Sequence, residues 1–306
     1  MNATPTHISW RTGLRMTRPG FLVITVVACL MGLASAAAGG SIDPVRAIAT
    51  VLLAVIAHAS ANVLNDYHDA LNGADAANSG GLFPFTGGAR MIQNGDVSVL
   101  DTRHLAQALA LLVIPAGLVL AACSGSGLIA IGAAGMLIGW AYSAPPLALM
   151  SRGLGETAVA AAWWLMVIGA DYVERGAFSP FPALTAAGYA LLVANILLIN
   201  GFPDAAADAS VGKRTLAVKL GPAGAAMLYL CLGMLAHGWL LAAVGLDLLP
   251  APVLWGLLSL PLSVAAAQQL FRHRNEPGRL RPAIVLTIGA AVVHGSALAA
   301  GLATLA

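Results

Sequence analysis

The chain has 306 residues, 59% of them hydrophobic and only 9% charged, with a mean hydropathy of +0.84. That balance excludes a water-soluble domain, because several apolar runs are long enough, at about 1.5 Å per helical residue, to cross a hydrocarbon layer of about 30 Å. The net charge of +2 at pH 7 comes without any basic run, so nothing points to a nucleic-acid surface or a polybasic lipid-binding tail.

In chain order, residues 1–19 form an N-terminal segment carrying arginines, followed by FLVITVVACLMGLASA. Such a start could pass for a cleaved signal peptide, but the run continues into AAGG and many spans follow, so a first membrane helix near 20–41 is expected. Further helices are expected near 45–64, 102–122, 126–143, 154–171, 181–202, 222–245, 250–271 and 283–304. The fold class is therefore all-α integral membrane, one domain over 1–306 with about nine transmembrane helices.

Alternate loops sort by Lys and Arg, which are retained on the cytoplasmic side. One side collects Arg11, Arg15, Arg18, Arg90, Arg103, Arg152, Lys213, Arg214, Lys219, Arg272, Arg274, Arg279 and Arg281, while the other receives only Arg46 and Arg175. The N-terminus is thus expected inside and the C-terminus outside. Cys29, Cys123 and Cys231 match no metal or disulfide spacing and read as small packing residues. The seven histidines are equally dispersed.

The acids are not dispersed. NVLNDYHDALNGAD (62–75) places Asp66, Asp69 and Asp75 at the cytoplasmic end of the second helix. If the helix continues, Asn62, Asp66 and Asp69 fall at i, i+4 and i+7 on one face, flanked by Asn65. INGFPDAAADASVGKRTLAVKLG repeats the arrangement at the end of the sixth helix, with Asn200, Asp204 and Asp208 at i, i+4 and i+8. Pro203 is expected to kink or restart that helix. Recurrence at two even-numbered helices suggests two four-helix halves in the same orientation plus a ninth helix.

Solvated loop acids or helix caps would account for one such aspartate, but not for five on two matching faces, since clustered ionisable groups at a membrane mark sites. Like charges about 4 Å apart cost about 4 kcal/mol at an effective dielectric near 20, so converging carboxylates require a counter-charge. Magnesium suits the role: it takes carboxylate, water and phosphate oxygens, and two ions on these carboxylates would attract a diphosphate. Lys213, Arg214 and Arg90 are candidates for the diphosphate oxygens, as are Asn62 and Asn200. GGLFPFTGGARMIQNGD offers two Gly-Gly pairs for close backbone approach and anion-binding amides, or else a flexible connector. YSAPPLALMSRGLGE puts Tyr142 and Arg152 on the same side of the membrane, as site residues or as part of a turn.

NDYHDALNGAD resembles the first aspartate-rich motif of the UbiA superfamily of intramembrane aromatic prenyltransferases. PDAAADASVGKRTLAVKLG resembles the second, with the Gly-Lys-Arg-Thr-Leu segment typical of these enzymes. YSAPPLALMSRGLGE and TGGARMIQNGDVS are most similar to the branch that prenylates 1,4-dihydroxy-2-naphthoate in menaquinone synthesis. The resemblance runs from Arg18-Pro19 onward. It implies nine transmembrane helices around a central cavity open sideways to lipid, with the two motifs facing each other across its cytoplasmic mouth. It further implies Asn65, Asp66, Asp69, Asp204 and Asp208 as magnesium ligands, the four aspartates as the catalytic set, Lys213 and Arg214 as diphosphate contacts, and Arg18 toward the aromatic acceptor. Tyr142, Arg152 and Asp75 are candidates for acceptor or diphosphate contacts.

The expected activity is magnesium-dependent transfer of a polyprenyl group from its diphosphate to an aromatic ring, 1,4-dihydroxy-2-naphthoate first, in the plasma (inner) membrane. INGFPD stands where some menaquinone enzymes carry an Asn-Asn pattern, which leaves 4-hydroxybenzoate, homogentisate, haem or a sugar phosphate open as acceptors. A cation-coupled transporter is a reading from another class, although transport favours acids near the midplane beside broken helices. A non-catalytic scaffold gives no reason for paired Asn/Asp faces.

Overall fold

The computed structural model describes residues 8–306; residues 1–7 of the expected N-terminal segment lie outside the described residues. The described chain is all-helical. Its α-helices are α1 (Trp10–Met16), α2 (Pro19–Ala37), α3 (Pro44–Asn72), α4 (Ala74–Ala77), α5 (Val99–Ser124), α6 (Gly127–Ser143), α7 (Gly155–Arg175), α8 (Pro180–Ser210), α9 (Leu216–Gly245), α10 (Leu260–His273) and α11 (Arg281–Ala303). Short 3-10 turns at Leu149–Arg152, Ala251–Ser259 and Pro277–Arg279 join them.

Among the described residues, seven stretches are long and apolar enough to cross a membrane: α2, α3, α5, α8, α9, Ala251–His273 and α11. Of the other two expected spans, α6 has 17 residues and α7, with 21, carries Glu156, Asp171, Glu174 and Arg175. Local chemistry sets many boundaries. Asp43 accepts the amides of Val45 and Arg46 ahead of Pro44, and Ser98 and Asp101 close a reciprocal capping box at the start of α5.

Several boundaries differ from those expected, and two of the differences matter. α3 runs past 64 to Asn72, and α8 runs past 202 to Ser210, so both acidic faces are helical. Of the two outcomes expected at Pro203, a kink or a restart, the helix does not restart, and the proline lies inside α8. It removes one backbone hydrogen bond, and Phe202 and Pro203 are both buried. The interruption comes instead in α9, which begins at Leu216 and breaks at Gly221 (φ 65°, ψ 174°), the residue preceding Pro222.

The largest core joins α2, α7, α8, α9 and α11 through Val27, Met31, Val167, Tyr189, Leu240 and Leu298. It cuts across the two halves suggested by the repeated acidic faces. In lipid such packing depends on close backbone approach rather than hydrophobic expulsion. A Cβ on Gly32 would lie 2.3 Å from the Val167 carbonyl oxygen and 2.6 Å from Ala170 Cβ, so α2 and α7 meet through that glycine. The charges near the end of α7 are neutralised locally. Asp171 pairs with Arg175 at 2.8 Å and accepts from Ser35 at 2.8 Å, and Glu174 lies 3.4 Å from Arg46. The two basic residues segregated from all the others in the sequence thus meet at one end of the bundle.

Gly32→Leu is expected to wedge α2 from α7 and destabilise the protein by about 1–3 kcal/mol, the usual cost of overpacking. A lowered thermal unfolding midpoint in detergent would register it.

Candidate active site

The site is assembled from the ends of α3 and α8 and the turns beside them. After α8 the chain reverses at Gly212 (φ +81°), the Lys213 amide donates to the Asp208 carbonyl at 2.9 Å, and the lysine side chain returns between the two helices. Lys213 Nζ lies 3.0 Å from Asp69 Oδ1 and 3.0 Å from Asp208 Oδ1, with all three side chains buried. A single ammonium therefore bridges one carboxylate from each acidic face. Asn65 Nδ2 donates to Asp69 Oδ2 at 3.2 Å, and Asn72 Nδ2 donates to Asp69 Oδ1 at 3.1 Å.

The remaining carboxylates have their own partners. Asp66 forms an ion pair with Arg18, which stands at the turn between α1 and α2. The loop between α4 and α5 holds one carboxylate of each motif: Asn78 Nδ2 and the Gly87 amide donate to Asp204 at 2.6 and 3.2 Å, and the Ala89 amide donates to Asp66 at 3.1 Å. The anticipated close backbone approach is real, but the amides serve the protein's own carboxylates. Gly88 (φ +75°) is required there, since a Cβ would fall 2.6 Å from Asp75 Oδ2 and 3.1 Å from Asp66 Oδ1.

These contacts shift titration. Burial works against the charge on Lys213, but Asp69 and Asp208 outweigh it and raise its pKa. Arg18 is raised in the same way, with Asp66 foremost among the carboxylates overcoming burial. Asp75 is pushed up to about 7, first by burial and then by Asp69 and Asp66.

A cavity of about 160 Å³ opens beside this cluster. Arg18, Asn62, Asn65, Tyr142 and Asn200 supply its polar lining, and Phe21, Ile24, Val193 and Ile196 part of its apolar wall. Asn200 Oδ1 and Arg18 Nε are buried without a hydrogen-bond partner. Asn62 donates to the Thr17 carbonyl at 2.9 Å and so also anchors the turn that carries Arg18.

Three expected site residues are placed elsewhere. Arg90 donates to the carbonyls of Asp75 and Asn78 and stacks on Phe83, so its guanidinium is spent on the loop. Arg152 is exposed and donates to the Pro146 carbonyl, turned aside by the 3-10 turn that bears it. Arg214 is exposed and forms no ion pair with the four carboxylates among the described residues, because the turn that directs Lys213 inward directs its neighbour outward. Asn78, Asn72, Met150, His58 and Trp163 escaped the sequence reading. His58 and Asn72 had a signal in their helical spacing, His58 two turns before Asp66 and Asn72 three residues after Asp69 on α3.

The donor set is oxygen throughout, which suits a hard divalent cation. Among the described residues no three carboxylates or histidines close on one point. That fits magnesium, which is commonly held by one or two carboxylates and completed by water and substrate phosphate oxygens. Asn65, Asp66, Asp69, Asp204 and Asp208 are the residues that could hold it.

The model of the UbiA prenyltransferase family matches residues 25–285. The 1,4-dihydroxy-2-naphthoate octaprenyltransferase of Escherichia coli (strain K12) is 28% identical over 290 residues, covering 92% of this chain and 91% of the relative. The protein of the same name from Mycobacterium tuberculosis is 32% identical over 223 residues, covering 72% and 73%. A UbiA homolog from Archaeoglobus fulgidus, solved bound to DMAPP and Mg2+, superposes with a TM-score of 0.63 at 18% identity, covering 95% of this chain and 99% of that one.

Replacing Lys213 with Met strands two buried carboxylates and is expected to cost about 3–5 kcal/mol. Adding Asp208→Asn should recover part of the loss in thermal unfolding. A carboxyl protonated in the fold up to about pH 7 but ionised above about pH 4 when unfolded stabilises fully only below the lower value, and that contribution is lost as pH rises through the higher. Asp75→Asn should therefore raise the unfolding midpoint in EDTA at pH 8 and leave it nearly unchanged at pH 4.

Proposed function

The chain belongs to the UbiA prenyltransferase family, and from that premise we propose that it transfers a polyprenyl group from polyprenyl diphosphate to 1,4-dihydroxy-2-naphthoate, with magnesium as cofactor. The carrying observation is the pair of acidic helix faces joined through Lys213 at a cavity whose walls become apolar. A site for a charged leaving group thus adjoins a site for hydrocarbon. The naphthoate is preferred because the relatives from Escherichia coli and Mycobacterium tuberculosis bear that activity in their names.

Bound magnesium would be held by Asn65, Asp66, Asp69, Asp204 and Asp208 and would neutralise the negative charge developing on the departing diphosphate. Lys213 supplies the permanent charge of the site, donating charge-assisted hydrogen bonds to diphosphate oxygens. Arg18 adds a second cation at the same mouth. As the allylic carbon–oxygen bond breaks, its electron pair leaves with the diphosphate. A π pair of the acceptor ring then forms the new carbon–carbon bond, and the cationic ring recovers its aromaticity by losing the ring carboxylate as carbon dioxide, whose carbon–carbon electron pair returns to the ring. Phe21, Ile24, Val193 and Ile196 keep water from the electron-deficient carbon and orient the ring by exclusion.

The reading includes nine spans, with α6 and α7 added to the seven, as two four-helix halves plus a ninth helix. It puts the N-terminus and the site on the cytoplasmic side of the plasma (inner) membrane and the C-terminus outside, on the strength of the Lys and Arg distribution.

Asp69→Ala and Asp208→Ala should each abolish magnesium-dependent turnover of labelled polyprenyl diphosphate while the protein stays folded in detergent; full activity would remove them from the site. In parallel assays, product is expected with 1,4-dihydroxy-2-naphthoate and not with 4-hydroxybenzoate. A cysteine placed between residues 80 and 90 should label from the cytoplasmic side alone.

A further inference from the structure

His58 stands eight residues before Asp66 on α3, about 12 Å deeper along the helix axis, and Asn62 lies between them on the same face. Its Nδ1 is held by the Thr25 hydroxyl at 2.8 Å, and its ring meets Trp163 of α7 edge to face at 4.9 Å and 88°. Both rings line the cavity. Trp163 is only 8% exposed, yet its indole N–H has no hydrogen-bond partner. Buried indole N–H groups are normally paired, because leaving a donor unsatisfied in an apolar surround is costly. Indole donates and never accepts, so a partner for it must be an acceptor, and a substrate oxygen in the cavity would serve.

We propose that Trp163 determines acceptor specificity by donating its indole N–H to the ring oxygen farther from the diphosphate, with His58, fixed by Thr25, positioning the indole. The inference rests on the prenyl-transfer reading and names the substrate feature that the deep end of the cavity selects: a second ring oxygen opposite the first. With the diphosphate at the carboxylates and the reacting ring carbon just below it, the second ring oxygen, para to the one nearer the diphosphate, extends toward the depth of His58 and Trp163. A ring that lacks that farther oxygen leaves the indole unpaired. Sites built to hydrogen-bond a substrate group discriminate strongly against analogues that lack it.

The test compares kcat/KM for 1,4-dihydroxy-2-naphthoate with that for each of its two monohydroxy analogues, in wild type and Trp163→Phe. Wild type should prefer the dihydroxy ring over the poorer analogue by at least about 100-fold. Trp163→Phe should shrink that preference at least tenfold while KM for the polyprenyl diphosphate stays within threefold of wild type. Intrinsic ring reactivity cancels when the two preferences are compared, and a merely structural role would lower all rates together. An unchanged preference in the variant overturns the inference, as does a wild type that prenylates all three rings equally well, a result that needs no variant to fold. A wild type that binds the diphosphate but prenylates none of the rings overturns the prenyl-transfer reading itself, and this inference with it.

Discussion

The site depends on one ammonium group. Asp69 and Asp208 lie on helices far apart in the chain, both buried, and Lys213 Nζ sits 3.0 Å from each. Without that charge, the two carboxylates would repel each other in a medium that screens poorly, and α3 and α8 would have an electrostatic reason to part. With it, their ends converge, and the loop between α4 and α5 can span them, giving amides to Asp204 and Asp66 in turn. The turn before α2 is secured by the same means, through the pairing of Arg18 with Asp66.

Asp66, Asp69, Asp204 and Asp208 are thus each met by a group from outside α3 and α8. Lys213 comes from the turn after α8, Arg18 from the turn before α2, and Asn78 and Gly87 from the long loop. This arrangement sets a cation or a hydrogen-bond donor beside each of these acids. It also sorts the chemistry by polarity. Charge is concentrated at one end of the cavity, whereas Phe21, Ile24, Val193 and Ile196 provide a wall suited to isoprenoid and to an electron-deficient carbon. The charged residues of α7 at Asp171, Glu174 and Arg175 belong to a separate network with Ser35, Asp43 and Arg46, and close the bundle rather than the site.

Nine helical stretches and two acidic faces were legible in the sequence because both are written in local periodicity. Apolar runs between polar punctuation mark the helices, and Asn62, Asp66 and Asp69, like Asn200, Asp204 and Asp208, share a face by spacing alone. Pro203 lies within a continuing helix, whereas the break at Gly221 adjoins Pro222. Arginines, by contrast, misled. Arg90, Arg152 and Lys213 have equal standing as cations in a sequence, but only the backbone path of each turn decides whether the charge points to a carboxylate, a carbonyl or water.

The sequence by itself determined that the chain lives in a membrane, which stretches are helical, and which oxygen-bearing residues line up on two helix ends, because hydropathy and helical spacing act over a few turns. Only the tertiary structure decided that Lys213 bridges the two faces, that Gly88 must lack a side chain, and that His58 and Trp163 meet in the cavity. Those outcomes depend on close approach between residues remote in the chain, and no local pattern encodes such distances.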